Sequence, residues 1–476
     1  MIKRLVTAFF ILSSLCFLQP LDQPASATQE GIGKSQAAVH RYVDAVYGSD
    51  LTGDGSPASP WQTITYALSQ VTGPDVEIHI APGTYDAALG EIFPLTPDAG
   101  VSLTGSDRDE VIISGQDDKS VIYLDSSTTD ILSDTVLSNI TLQDGSAGLQ
   151  IYADESHTAA PSVTGLRLRW NTTGIHMSTG DVYHDGATIG GIISNTEVIS
   201  NTQTGIYMRS YGYFSPSTVS PLIANSRVEG NGDYGFHIQG SAVNANGTTA
   251  APQIVSTHIV NNGDHGIFAE GTYQGWSNPQ IERSWIEDNQ GYGFYWAQGI
   301  NRGNINASFT NTVIALNHDG GIFLDRRSEY GSSTRMLRVI NGTVVDNENY
   351  GIYWQRTSPY PYLDVTPQVI NTILWNPTAD DLYSTGADWT TAEIQHSVVE
   401  DGDLAGEAGN LAQDPLFADA TNKVYELVTG SPAINAGDNA HCPSTDFRGL
   451  SRPQNGTCEI GAFEIALAFV PIVLNE

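Results

Sequence analysis

The stretch Asn231-Gly232-Asp233-Tyr234-Gly235-Phe236-His237-Ile238 decides the fold, because its outline returns along most of the chain. An Asn is followed four residues later by Gly and then by an apolar residue. The outline reappears from Asn201 to Gly205-Ile206, Asn262 to Gly266-Ile267, Asn289 to Gly293-Phe294, Asn317 to Gly321-Ile322 and Asn347 to Gly351-Ile352. Asn171 to Gly174-Ile175 is one residue shorter, and Asp144 to Gly148-Leu149 looks like the copy before it. Successive glycines of the series stand 26 to 31 residues apart. A sustained period of this length is the signature of a solenoid.

Each unit also carries an upstream segment of alternating character, as in Asn195-Thr196-Glu197-Val198, Asn225-Ser226-Arg227-Val228, Asn311-Thr312-Val313-Ile314 and Asn371-Thr372-Ile373-Leu374. Short period-2 strands between Asn and Gly turns make the repeat a β-solenoid. No unit holds a ten-residue stretch of 3.6 periodicity, which excludes helical repeats. Gly is expected to supply positive φ at a tight corner. Asn is expected to stack on the Asn one coil away, with amides hydrogen-bonding along the ladder.

A solenoid needs covered ends. Ser59-Pro60-Trp61 predicts a helix start, with Ser59 as N-cap and Pro60 in the first turn. Trp61, Ile64, Leu68 and Val71 then fall on one face, which reads as an N-terminal plug. Strands are predicted at Val76 to Ile80, Val101 to Leu103 and Val111 to Ile113. The chain thus divides into an N-terminal segment with a capping helix (28–75), coils (76–400), a C-terminal cap (401–464) and a tail (465–476).

Residues 1–27 read as an export signal: Lys3 and Arg4, an apolar run from Leu5 to Leu18, and the small-x-small pattern of Ala25-Ser26-Ala27. Leu15 before Cys16 argues against lipid-anchor processing, and no later run is long enough to span a bilayer. Cys442 and Cys458 remain, and an even pair in an exported chain reads as one disulfide, with free thiols as the alternative. The formal net charge is −33, and losing the signal removes two basic residues and one acidic one, leaving −34. Such a surface repels nucleic acid and anionic membranes. It also disfavours a polyanionic glycan unless calcium or a local Arg cluster intervenes.

Two stretches resemble known families. Tyr42-Val43-Asp44, Gly48-Ser49-Asp50, Asp54-Gly55-Ser56, Pro60-Trp61 and Ile80-Ala81-Pro82-Gly83-Thr84-Tyr85 are similar to the start of many bacterial pectin-lyase-like β-helix proteins. Ser431-Pro432-Ala433-Ile434-Asn435-Ala436-Gly437-Asp438, Asp446-Phe447-Arg448-Gly449 with Arg452-Pro453, and Cys458-Glu459-Ile460-Gly461-Ala462-Phe463-Glu464 resemble the choice-of-anchor Q domain. With the repeats, the resemblance spans residues 42 to 464 and implies an all-β, right-handed parallel β-helix at the cell surface or outside the cell. It implies no single activity, because this fold carries lyases, hydrolases, epimerases, adhesins and inert scaffolds.

Strand alternation then assigns faces. The first and third residues after each Gly are apolar and point inward. The second points outward and reads His176, Tyr207, His237, Phe268, Tyr295, Phe323 and Tyr353, with Tyr383 extending the row. Rungs lie about 4.8 Å apart, so these rings are expected to form one column. Loop residues Tyr183, Tyr211, Tyr213, Tyr273, Trp276, Tyr330, Tyr360 and Tyr362 add to it. The column reads either as self-stacking structure or as a ligand platform for polysaccharide or cell-envelope glycan.

The fourth position after Gly includes Arg209, Glu270 and Asp325. Glu270 and Asp325 stand two rungs apart, about 10 Å, near the upper separation of an inverting glycosidase pair. Arg209 or Arg326 would instead serve as a lyase base, with nearby carboxylates holding calcium. Asp44, Asp50 and Asp54 are a candidate calcium set at the N-terminal plug, with a Gly-rich Asp turn as the alternative. Named enzyme patterns are weak: Gln116-Asp117-Asp118 and Asp264-His265-Gly266 are fragments, and no Lys occurs between Lys119 and Lys423 to act as a lysine base. The functions in view are non-catalytic glycan binding along the ladder, a polysaccharide lyase or hydrolase on the same face, and a surface scaffold without a glycan ligand.

Overall fold

The computed structural model describes residues 38–180, 186–245, 247–298, 303–326, 335–356, 367–385 and 392–465. The signal segment, the tail from 466, and Tyr183, Tyr330, Tyr360 and Tyr362 lie outside the described residues. The chain is a parallel β-helix whose coils contribute in turn to an eighteen-stranded, a twelve-stranded and a ten-stranded sheet. One coil shows the plan: Leu222–Ala224, Arg227–Glu229, Phe236–Ala242, then Thr249–Ala250. In the eighteen-stranded sheet five consecutive coils give two short strands, parted at Pro161, Gly190-Gly191, Pro221, Pro252 and Pro279. Proline has no N–H for the ladder, so pairing breaks there. Asn304–Thr310 lacks a proline, stays continuous, and pairs with both short strands of the coil before it.

The inward assignment holds. Ile175, Ile206, Phe236, Ile267, Phe294, Ile322 and Ile352 are buried, as are Met177, Met208, Ile238, Ala269, Trp296, Leu324 and Trp354. Each full burial of such a side chain contributes about 1.5–3 kcal/mol, and the coils stack these residues into one continuous core.

The asparagine ladder also holds, with its membership defined. Asn171, Asn201, Asn231, Asn262, Asn289, Asn317, Asn347 and Asn376 are fully buried. The Asn201 amide donates to Asn231 Oδ1 at 2.9 Å, and Asn231 to Asn262, Asn262 to Asn289 and Asn289 to Asn317 do the same. Each Oδ1 also accepts the backbone N–H of the preceding Asn. Asp144 is not a member: the ladder position of its coil is Gly145, whose N–H donates to Asn171 Oδ1.

The reason for the glycines differs from the expected one. Gly235 and its equivalents are absent from the positive-φ positions, which fall instead on corner residues such as Asn195, Asn225, Asn311, Asn341 and Asn371. What excludes a side chain is the next coil. A Cβ on Gly235 would lie 2.9 Å from Asn262 Nδ2, 2.6 Å from the Gly266 carbonyl oxygen and 2.8 Å from Ile259 Cγ2. The last coil has no such successor, and register places Asp381 where the coil before has Gly351. Its buried carboxylate accepts both the Asn376 amide (2.8 Å) and the Asn376 backbone N–H (3.0 Å), ending the ladder.

Two N-terminal expectations are corrected. Coiling begins before residue 76, because Val39–Val43 pairs in parallel with Val76–Ile80. The helix, Ile64–Gln70, starts later than expected, with Thr63 as N-cap accepting from the Tyr66 N–H. Asp50 fixes the Gln62 and Thr63 N–H groups, and buried Glu91 takes those of Ile64 and Thr65. Ser59 instead bridges to Ser56, while Trp61 pairs with Val43.

The segment after residue 400 does two jobs. Residues near Asn410 close the end: Asn410 accepts from Ser397 N–H and donates to Ile394 O, and Leu411 pairs with Val398. The remainder packs along the side of the solenoid, where Tyr425, Leu427, Ile460, Ala462 and Phe463 cluster with Val313, Val345 and Ile373 of the twelve-stranded sheet. Corner amides hold it there: Asn311 donates to Thr445 O, Asn341 to Glu459 O and Asn371 to Asp438 O. Buried Asp446 receives the N–H groups of Arg448, Leu450 and Glu464. Cys442 and Cys458 form the expected disulfide.

Asn231→Ala strips the acceptor from two buried donors of Asn201 and the donor from Val198 O, so we expect a loss of about 3–5 kcal/mol, seen as a lowered unfolding temperature. Asp381 gives a pH signature. Burial pushes its carboxyl up to about 7 from the ordinary 3.8. Its stabilising contribution is therefore complete below about pH 4 and is lost as pH rises through about 7. The melting temperature of Asp381→Asn minus that of the native chain should rise over this window, by the equivalent of a few kcal/mol; a flat difference would contradict the assignment.

Candidate functional site

The ten-stranded sheet brings the outward rings into one register. His176 pairs with Tyr207, Tyr207 with His237, His237 with Phe268, Phe268 with Tyr295, Tyr295 with Phe323, Phe323 with Tyr353, and Tyr353 with Tyr383. Tyr207, Tyr295 and Tyr353 are half-buried, and Phe323 is only 5% exposed. Burial pushes the Tyr207 phenol up and the His176 imidazole down.

A second row, unread from the sequence, explains the cover. Tyr234, His265, Tyr292 and Tyr350 stand directly before the glycines of their coils, and each stacks on the outward ring one coil on. Tyr234 lies on Phe268 (4.7 Å, 17°), His265 on Tyr295 (4.3 Å, 3°), Tyr292 on Phe323 (5.1 Å, 22°) and Tyr350 on Tyr383 (4.7 Å, 22°). Burial lowers the His265 pKa to about 4, and its Nδ1 accepts the Tyr292 N–H. The signal was present as an aromatic residue before Gly235, Gly266, Gly293 and Gly351.

A polar strip runs beside the rings. Register sets Ser178, Arg209, Gln239, Glu270 and Ala297 on successive rungs, with Asp325 next and Gln355 after it. Tyr207 donates its hydroxyl proton to Gln239 Oε1 (3.0 Å), the Gln239 amide donates to Glu270 Oε1 (2.7 Å), and His237 Nε2 lies 3.1 Å from the same oxygen. The Arg209 guanidinium sits 4.8 Å over the Tyr211 ring.

The candidate catalytic residues share one outward row, in which Glu270 and Asp325 stand two rungs apart. Arg209 and Asp325 are four rungs apart, about 19 Å at the inter-strand spacing, with Glu270 between them. Asp325, expected on an open surface, is buried. The candidate calcium set is also corrected. Asp44 caps the Val46 and Tyr47 N–H groups, Asp50 holds Gln62 and Thr63, and Asp54 holds Ser56. Asp44 and Asp54 satisfy local turns, Asp50 fixes the more distant helix start, and the three do not converge on a shared point.

A separate groove of about 600 Å³ lies on the twelve-stranded face, between Arg108, Arg227, Arg283, His258 and Trp285 and the C-terminal Phe447. Its cations are matched within the fold: Arg108 with Glu197, Arg227 with Glu229, and Arg283 with Glu282. His258 bridges Arg227 and Glu287. It is an ion-paired floor, with its charge already spent.

The family model described as a protein of unknown function (DUF1565) matches residues 46–333, more than half of the chain. The chain belongs to the DUF1565 family. No curated protein matches it. Among solved structures, pectate lyase Pel9A aligns over 90% of this chain and 97% of its own, at 17% identity and a TM-score of 0.53. That likeness establishes a shared pectate-lyase-like β-helix fold. XylC in complex with xylose aligns over 90% of this chain and 98% of its own (9% identity, TM-score 0.42). The A-module of the Azotobacter vinelandii mannuronan C-5 epimerase AlgE6 covers 70% of this DUF1565 chain and 92% of its own (12%, 0.39).

Phe268 touches Tyr234, His237, His265 and Tyr295. For Phe268→Ala we expect a loss of about 2–3 kcal/mol, below the 3–5 of a fully buried ring, read in denaturant unfolding. A change within about 0.5 kcal/mol would mean that the rings do not support one another.

Proposed function

We propose that this exported protein binds polysaccharide or a cell-envelope glycan, without catalysis, along the ten-stranded face. The observation that carries it is the pairing of two parallel strips: an unbroken row of rings, most of them half-buried, and beside it a polar row in which Gln239 and Glu270 are hydrogen-bonded and Arg209 stands one rung before them. A sugar chain needs both, apolar faces to rest on and directional polar groups for its hydroxyls. Because ring faces are largely covered by neighbouring rings, the strip offers edges and hydroxyls more than open platforms, and recognition falls chiefly to the polar row. The strong negative charge favours a neutral glycan over a polyuronate. The signal-like residues 1–27, the disulfide and the choice-of-anchor Q resemblance support a secreted or cell-surface location. Among the described residues no helix is long and apolar enough to cross a membrane.

Burial of Asp325 takes one member of the Glu270–Asp325 pair away from a bound glycan, which supports binding over turnover, since acid–base chemistry needs its groups within reach of one bond. Affinity electrophoresis against a panel of neutral and acidic polysaccharides, with parallel assays for reducing ends and unsaturated products, tests the reading. We expect retention without product. Gln239→Ala and Glu270→Gln should weaken retention about tenfold, the equivalent of one lost hydrogen bond to a charged or well-placed group, with unfolding temperature preserved. Product release from any polysaccharide would replace this reading with the lyase or hydrolase alternative.

A further inference from the structure

The first two strands of the solenoid bring together a second set of groups, unconnected with the glycan face. Val39–Val43 and Val76–Ile80 pair so that His40 stands opposite Glu77 and Tyr42 opposite His79. Alternation puts Glu77 and His79 on one side of their strand, the side shared by His40 and Tyr42. Three donor atoms converge there. His40 Nδ1 lies 2.9 Å from His79 Nε2 and 3.4 Å from Glu77 Oε2, and His79 Nε2 lies 3.7 Å from the same oxygen. Among the described residues this is the one group of three or more His, Cys, Asp or Glu side chains gathered closely enough to share an ion.

The spacing has a chemical meaning. Ligands held about 2.0–2.1 Å from a tetrahedral cation stand about 3.3 Å from one another, and the three separations bracket that value. Two imidazoles and one carboxylate form a mixed nitrogen and oxygen set. Such a set suits zinc and its first-row neighbours, whereas calcium requires six to eight oxygens. Packing restrains the ligands: Tyr42 stacks on His79 (4.9 Å, 23°) and His40 on the same ring (5.1 Å, 27°). Arg41 turns away to the His40 carbonyl, 3.0 Å from its guanidinium, so the facing groups are His40, Glu77, His79 and Tyr42. At 2.9 Å the two imidazoles share one proton, and a cation between them needs only that the donating ring carry its proton on its other nitrogen.

We propose that His40, Glu77 and His79 form a transition-metal site of the zinc type, with three protein ligands and a fourth position for water or another donor. The site joins the first rung of the solenoid to the second, so binding should also stiffen the end from which coiling starts.

The test uses the untagged chain, freed of metal by chelator, because its 11 histidines demand comparison with site variants rather than bulk uptake. Isothermal titration with zinc chloride should show one high-affinity equivalent per chain, and calcium chloride should show none. Cobalt(II) should give the intense visible bands of a four-coordinate ion. His79→Ala and His40→Ala should each abolish the high-affinity equivalent and the cobalt bands, and Glu77→Gln, which turns a charged ligand into a neutral amide, should weaken zinc binding at least about tenfold. The histidine variants should keep the metal-free unfolding temperature, since both side chains are partly exposed, and lose the rise that zinc gives the native chain. Equal zinc uptake by the native chain and His79→Ala, no uptake by the native chain, or displacement of cobalt by calcium would each overturn the proposal.

Discussion

The constraint on which the rest depends is the contact between an asparagine of one coil and a glycine of the coil before. The carboxamide is buried and must place two N–H bonds and one oxygen inside a protein interior, where an unmet polar group costs about 1–3 kcal/mol. It meets that demand by donating along the stack and by accepting from the preceding Asn twice, through amide and backbone. The arrangement works only if the backbones lie close, and the glycine column leaves that room: a Cβ at Gly351 would stand 2.7 Å from Asn376 Nδ2. Ladder and glycine column are thus one device that fixes coil spacing at the turn into the ten-stranded sheet. Spacing fixed there places the rings and the polar strip in register a few residues later.

The sequence carried this device legibly because both partners are identity-specific. Asn and Gly cannot be exchanged for similar residues, so their spacing survives as a written pattern, and the inward and outward assignments followed from it. What misled was the cause assigned to Gly. Positive φ is the commoner reason for a recurring glycine, whereas here that conformation falls on Asn195, Asn225 and their equivalents at the preceding corner. The first strand was missed because Arg41 interrupts the apolar alternation of Val39 and Val43. The helix start was misplaced because Ser59-Pro60 looks like a cap, while the groups that fix the turn, Asp50 and Glu91, lie far away in sequence.

The course of the C-terminal segment was written more faintly. Outward positions of the twelve-stranded sheet are charged in the early coils, at Arg167, Glu197 and Arg227, and apolar in the late ones, at Val313 and Ile373. A solvent-facing strand does not turn apolar on both faces without a cover, and the cover is the segment around Tyr425 and Phe463. The buried Asp446 and the fully covered Arg452–Glu464 pair hold that cover in one shape. The second ring row escaped notice for a different reason: its positions precede the glycines, outside the strand alternation used to assign faces.

The ten-stranded face proposed for a glycan also differs physically from the other two. The late coils of the twelve-stranded sheet lie under the C-terminal segment, and its early coils are closed by ion pairs from Arg108 to Glu287. The eighteen-stranded sheet is broken by Pro or Gly-Gly corners within five consecutive coils, which interrupts a row of side chains crossing them. The ten-stranded sheet alone has seven-residue strands in most coils, such as Ile206–Gly212 and Phe236–Ala242, long enough to carry two outward rows side by side. An extended partner requires a surface that repeats without interruption over several rungs. In this fold that requirement and the Asn–Gly constraint point to the same face, since the strands that follow the ladder most closely are the ones held in the strictest register.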